Sequence, residues 1–312
     1  MKIIPPSYEI LDALDRRGLA ERIEFSGRVC YKSEDKIDAD SAIPFVRKMA
    51  EHGHNSVLEM GVVSLRLTGM DRALTAELHA ARPRYLQIDA PAADTLLVTG
   101  SVRAFREMLL FHPDCRPVRA MAGFLAGRHP YFFDTILPPE GPAADPAIRV
   151  SKVPLEEIDG LPPELRLKHR HIAVKFIVNR AVTHEIVRHR PCSFLQESQR
   201  YCRYADDRFG GEVSFIKPMF FEEGTPEFSL WQRAMEETER IYLELLRTTT
   251  PQAARTVLPN SCKTELIVYA NLQEWQHIFR LRTTRAAEPS MREVMIPLHE
   301  ELQSRFPELA LE

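Results

Sequence analysis

Arg188-His-Arg-Pro-Cys-Ser-Phe-Leu-Gln-Glu-Ser-Gln-Arg-Tyr201 concentrates three arginines, a histidine, two serines and a carboxylate in one short stretch of the chain. Upstream, His171-Ile-Ala-Val-Lys-Phe-Ile-Val178 reads as a strand, and residues 180–188 read as a short helix. A rigid strand and helix that deliver a dense polar loop aim donors at an anionic, hydrogen-bonding ligand. Residues 255–260 (Arg-Thr-Val-Leu-Pro-Asn) and 271–282 (Asn-Leu-Gln-Glu-Trp-Gln-His-Ile-Phe-Arg-Leu-Arg) add groups of the same kind. Together these segments point to an enzyme that handles a nucleotide.

The chain of 312 residues is long enough for one large domain or two ordinary ones. Apolar content of 44% with 27% charged residues is that of a soluble globular protein. No apolar run is long enough to span a bilayer, and the start, Met-Lys-Ile-Ile-Pro-Pro, lacks a signal-peptide core. A net charge of −3 argues against a broad nucleic-acid surface. The five cysteines (30, 115, 192, 202 and 262) are scattered and odd in number, which fits a reducing cytoplasm.

Periodicity predicts helices over 40–52, 71–82, 101–111, 228–246, 271–282 and 289–302, and a strand over 61–68. Ser101 caps the third helix, and Pro289 sits in the first turn of the last. Residues 138–163 are rich in proline and short apolar pieces, so continuous helix or sheet is not expected there. Asp71-Arg-Ala-Leu-Thr-Ala-Glu77 echoes Asn179-Arg-Ala-Val-Thr-His-Glu185, each after an expected strand. A decayed duplication and chance similarity of two short amphipathic helices both account for it.

Arg188, Arg190 and Arg200 are permanent cations with forked donors, suited to phosphate or to a pyrimidine carbonyl. Ser193 and Ser198 each donate and accept, and the Gln196 amide suits a base edge. The competing reading is a solvated arginine-rich loop whose charges pair locally with Glu185 and Glu197. A metal site is not expected: His169, His171, His184, His189, Cys192 and Cys202 are near in sequence, but no Cys-x-x-Cys or His-x-x-x-His pair occurs among them and arginines crowd them. Cys192, beside arginines, is a conceivable nucleophile, but the sequence fixes no partner histidine, and it is read as non-catalytic.

The loop closely resembles the signature of flavin-dependent thymidylate synthases: Arg-His-Arg, two variable positions, Ser, one variable, Asn-Glu, one variable, Ser, one variable, Arg-Tyr. Arg188, His189, Arg190, Ser193, Ser198, Arg200 and Tyr201 match, while Leu195 stands in place of Asn and Gln196 in place of Glu. Residues 28–35 and 54–59 are similar to the family's amino-terminal part, with Met60 replacing a common histidine. The blocks at 255–260 and 271–282 are similar to its carboxyl-terminal part, with Gln273 where an arginine is frequent. The segment from about 82 to 168 has no counterpart in the compact members and reads as an insertion into a single domain covering 1–312.

The resemblance implies an α+β fold, a mixed sheet flanked by helices with no Rossmann crevice, assembled as a homotetramer with sites where subunits meet. It implies conversion of dUMP to dTMP with FAD, NADPH and methylenetetrahydrofolate, without a metal, a nucleic-acid partner or a membrane. Arg282 is then the catalytic residue, stabilising charge on the uracil. Glu185, Arg188, Gln196, Glu197, Ser198, Arg200, Arg255 and Arg282 would hold the nucleotide. Ser56, Glu59, Arg188, His189, Arg190, Gln196, Asn271, Gln273 and His277 would hold FAD. Three alternatives stay open: the same chemistry on UMP, a non-catalytic RNA-binding module reading bases with Phe194, Tyr201 and Tyr204, and a family member that binds flavin without turnover.

Overall fold

The structure is a computed structural model that describes residues 1–82, 86–137 and 145–311. Among these residues the strands are β1 (Lys2–Ile4), β2 (Ser7–Ile10), β3 (Val62–Thr68), β4 (Gln87–Ala92), β5 (Thr95–Ser101), β6 (Arg149–Lys152), β7 (His171–Asn179), β8 (Ser193–Gln196), β9 (Ser214–Ile216) and β10 (Lys263–Asn271). They form one four-stranded sheet in the order β2-β7-β10-β8, another in the order β4-β5-β3-β6, and a parallel pair β1-β9. Both four-stranded sheets are antiparallel throughout. The class is the expected α+β, with its strands divided among several sheets and helices packed on them. No doubly wound parallel sheet occurs among the described residues.

The alternating side chains of β7 and β10 explain how the first sheet is buried on both faces. Ile172, Val174, Phe176, Val178, Leu266, Val268 and Ala270 join the core made with helices Leu272–Arg282 and Pro289–Arg305. Trp275 fills the centre of that layer, and its indole N–H donates to the Ile172 carbonyl at 3.1 Å. Ala173, Ile267, Tyr269 and Leu195 point the other way, into a larger core shared with helix Leu19–Tyr31 and the second sheet. A charged strip continues on that face. Glu265 Oε1 accepts from Lys32 and Lys263 at 2.7 and 2.6 Å, and Lys175 Nζ lies 3.0 Å from Glu265 Oε2. Burial works to raise the pKa of Glu265, but Lys263 and Lys32 outweigh it and hold the carboxyl at about 2.

The expected helices appear as Ala42–Glu51, Arg72–Ala81, Val102–Phe111, Pro226–Thr248, Leu272–Arg282 and Pro289–Arg305. Two expectations are corrected. The stretch 138–163 contains β6 and a short helix, Leu155–Asp159, while residues 138–144 lie outside the described ones. β6 has no apolar alternation of its own and exists because Lys152 to Arg149 pair with Leu65 to Thr68 of β3. The loop after Arg190 likewise contains β8, held as an edge strand because Ser193 to Gln196 pair with Tyr269 to Leu266 of β10.

The sequence echo has a structural counterpart. Asp71 and Asn179 each cap a helix directly after a strand, accepting from the backbone N–H three residues on at 2.8 and 2.9 Å. Ser101 and Asn271 do the same at the ends of β5 and β10. In both sheets the start of the first strand therefore faces the cap that ends the second: Val62 opposite Ser101, and His171 opposite Asn271. A buried polar chain ties the second sheet to the end of helix Pro163–His169. Ser64 Oγ lies 2.6 Å from Thr99 Oγ1, Thr99 Oγ1 lies 2.8 Å from His169 Nδ1, and His169 Nε2 lies 3.1 Å from Asp89 Oδ2.

Candidate functional site

Two strand-to-helix turns build the centre of the site. Asn179 starts the helix Arg180–Ile186, which carries Glu185 near its end. Asn271 starts the helix Leu272–Arg282, which carries Glu274, His277 and Arg282. Arg282 closes the two together: Nη1 donates to Glu185 Oε2 at 2.5 Å, Nη2 to the Glu185 carbonyl at 3.3 Å, and Nε to His189 Nε2 at 3.0 Å. Both terminal nitrogens of the guanidinium retain an N–H beyond these bonds.

Because His189 Nε2 accepts from Arg282, the hydrogen-bond pattern assigns the ring proton to Nδ1. Burial, then the neighbouring Arg282, His277 and Arg190, depress the His189 pKa to about 4, so the ring is neutral at pH 7. Its Nδ1 lies 3.8 Å from Glu274 Oε1. Glu274 is buried, Oε1 has no hydrogen-bond partner among the described residues, and burial raises its pKa to about 7 against a smaller opposing bond from Cys192. The Cys192 thiol is itself pushed up, by burial first and then by Glu274, which leaves it a poor nucleophile.

Glu274 has a measurable consequence for stability. A carboxyl that ionises near 4.5 unfolded and near 7 folded binds its proton more tightly in the folded state. Its contribution is fully present below pH 4.5 and is lost as pH rises toward 7. Unfolding free energies of Glu274→Gln, from urea titrations, are therefore expected to lack a decline that the parent shows across that window. Parallel pH profiles for the two proteins would contradict this.

His189, Glu274 and His277 also place atoms that could ligate a metal within 4.8 Å of one another. Arg282 donates to His189 Nε2, and Arg190 and Arg280 line the adjoining space, so positive charge surrounds this group. Arg190 divides two cavities. One, of about 360 Å³, is lined by Arg190, Gln273, Glu274, Gln276, His277 and Arg280. The other, of about 420 Å³, lies between the two sheets, with Arg190, Phe194, Tyr269 and Asn271 on one side and Glu59, Ser101, Arg103 and Glu107 on the other. Arg190 donates to the carbonyls of Val187 and His189 at 2.6 Å each, and its guanidinium lies 5.5 Å from the centre of the Phe194 ring.

The remaining residues singled out in the sequence divide by orientation. Gln196 points toward the helix layer, its amide donating to Thr183 Oγ1 at 3.0 Å and Thr264 Oγ1 at 3.2 Å. Glu197 points inward, accepting from the Tyr204 hydroxyl at 2.6 Å and Lys263 at 2.7 Å, so its carboxylate is engaged internally. Asn271 is buried and has both ends of its amide engaged, accepting from Glu274 N and donating to the Lys168 carbonyl. Glu59 pairs with Arg103 at 2.6 Å. Arg188, Arg200, Ser56, Gln273 and His277 are exposed, and Arg255 is half-buried. The Arg255 side chain has no hydrogen-bond or ionic partner among the described residues, and Arg200 reaches over the Tyr201 ring at 5.6 Å. Ser198 accepts from the Arg200 backbone N–H at 3.4 Å.

Sequence reasoning passed over Glu274, Arg103 and Glu107. Asn271-x-x-Glu274 reads as a helix-start pattern, which disguised a carboxylate directed at His189. Arg103 and Glu107 fall on a helix that periodicity identifies, but only the pairing of the sheets brings that helix to the cavity.

A family model described as "Thymidylate synthase complementing protein" matches residues 13–88 and 166–308. The chain is similar to the flavin-dependent thymidylate synthase of Pyrococcus abyssi, 34% identical over 128 residues, covering 41% of this chain and 52% of that one. It is 35% identical over 128 residues to the Pyrococcus furiosus protein of the same name, with 41% and 52% covered. Against that of Corynebacterium efficiens it is 32% identical over 146 residues, with 42% and 56% covered. The chain thus spans about half the length of the curated relatives it matches.

Proposed function

The chain belongs to the thymidylate synthase complementing protein family, and on that premise we propose that it methylates C5 of a uracil nucleotide, converting dUMP to dTMP. Methylenetetrahydrofolate is the carbon donor, NADPH the reductant and FAD the bound cofactor. The observation that carries this reading is that Glu185 and His189 of the signature region hold the guanidinium of the distant Arg282, which keeps donors to spare.

The residues present fit an anionic flavin nucleotide. Exposed Arg190, Arg280, Gln273 and His277 surround the smaller cavity with donors and no exposed carboxylate, which suits a pyrophosphate-bearing group. Arg188, His189, Gln196 and Asn271, with Ser56 and Glu59, complete the proposed flavin set. Bound reduced flavin supplies the hydride that no side chain can.

Arg282 acts as a fixed positive charge on the uracil carbonyl edge, and its value grows as negative charge develops on the ring. Glu185 and neutral His189 orient that guanidinium, so little reorganisation is needed as the charge appears. Arg200, Arg255 and Ser198, exposed or half-buried with spare donors, hold the nucleotide phosphate. Arg188, Gln196 and Glu197 form its surroundings, Glu197 indirectly through Lys263. Homotetramerisation completes the exposed side of this group, and the five free thiols accord with a cytoplasmic setting. The chain is a single domain with an insertion, a reading supported by β3, which pairs with β5 and β6 of the inserted segment. No helix among the described residues is long and apolar enough to cross a membrane.

Leu195 and Met60 depart from the family signature, but both lie in the apolar core, 4% and 2% exposed, and so bear on packing rather than on a ligand. These two departures therefore give no ground for a specialised ribonucleotide substrate. Base stacking by Tyr204 is blocked as well, since its ring is buried with its hydroxyl on Glu197. Turnover of dUMP and UMP by the same preparation, with NADPH and methylenetetrahydrofolate supplied, tests the reading. Methylation of dUMP is expected to dominate. Methylation of UMP alone, or of neither, would contradict it.

A further inference from the structure

The larger cavity lies where the equivalent ends of the two sheets meet, with Val62 and Ser101 on one side and His171 and Asn271 on the other. The family model matches the second side, whereas Ser101, Arg103 and Glu107 belong to the unmatched residues between 88 and 166. The inserted segment therefore shares one wall of a cavity that adjoins the signature loop, beside Glu59 and Val62 of the matched residues. Arg103 braces that wall, with Nε on Glu107 Oε1 and Nη1 on Glu59 Oε1, both at 2.6 Å. Neither Glu59 Oε2 nor Glu107 Oε2 has a partner among the described residues, so two carboxylate oxygens remain as acceptors. Phe194 and Tyr269 are among the residues that line the opposite side.

Paired carboxylates discriminate sharply among planar heterocycles. A uracil or isoalloxazine edge presents an N–H between two carbonyl oxygens, and those oxygens are repelled by carboxylate. A 2-amino-4-oxopyrimidine edge presents an N–H beside an NH₂, both donors, and suits it. A space of about 420 Å³ holds one ring system, toward the small end of ligand pockets.

We propose that Glu107 and Glu59, clamped by Arg103, form a specificity wall that receives the aminopyrimidinone edge of a pterin, so that the inserted segment contributes the folate subsite. This deepens the methylation reading above and takes its choice of pterin from it. Glu59, given there to the flavin's surroundings, is shared between the two.

Equilibrium binding to the purified full chain, followed by fluorescence quenching, tests this without turnover. Folic acid is expected to bind about tenfold or more tightly than its 2-desamino analogue. Glu107→Gln is expected to erase that preference, and Arg103→Met to weaken it, with unchanged thermal midpoints as the folding control. Equal affinity of the parent for the two ligands, or a preference undiminished in Glu107→Gln, would overturn the proposal; the first comparison needs no variant to fold. A protein that shows the preference but methylates no uracil nucleotide would sink the methylation reading and leave this subsite standing. A methylating protein without the preference would do the reverse.

Discussion

Arg282→Ala is expected to lower the rate of uracil methylation by about a thousandfold, the scale on which removal of one preorganised donor to a developing charge is felt. Arg282 is tied to Glu185 and His189, so the substitution also removes the donor that fixes the His189 tautomer and one of the charges that depress its pKa. Flavin is expected to stay bound, because the other proposed contacts to it remain. Arg282→Lys keeps the charge but cannot span Glu185 and His189 with one planar fork, so its rate should fall between those of the parent and Arg282→Ala. Steady-state rates together with flavin content per chain check this. Undiminished turnover in Arg282→Ala would remove the residue from the mechanism.

Leu195→Asn restores the family signature, yet it is expected to destabilise the protein by about 3 kcal/mol. Leu195 is 4% exposed and packs in the core between the sheets with Ile267 and Tyr269. Its neighbours Gln196 and Phe194 take the opposite direction from the strand. An amide there would lose apolar contacts and bury polar atoms in a layer built to exclude water. Urea unfolding measures the effect directly, and a variant as stable as the parent would show that this layer accommodates a polar group. The expectation depends on β8 being a strand, since only strand alternation separates Leu195 from Gln196.

That dependence marks where the sequence was legible and where it was not. The caps at Asp71, Ser101 and Asn179 and the long helix Pro226–Thr248 carry local signals, and they stand close to where periodicity places them. β8 carries no such signal. Ser-Phe-Leu-Gln is extended only because β10 offers it an edge, and β6 is formed in the same way on β3. β10 itself, with its apolar run from Leu266 to Ala270, lies between two blocks read for their polar residues. Within the site, residue types and spacing single out Glu185, His189 and Arg282, but no spacing reveals that Arg282 bonds both of the others. The orphaned Glu274 oxygen and the Arg103 clamp arise from tertiary packing, through burial of one carboxylate and the approach of the second sheet to the first.

The most direct test of the central claim is the visible spectrum of the purified protein, recorded before and after NADPH is added with and without dUMP. A yellow chromophore is expected, one that bleaches under anaerobic conditions when NADPH and dUMP are present. A colourless protein that takes up no added FAD, or a bound flavin that NADPH leaves oxidised in the presence of dUMP, would contradict it.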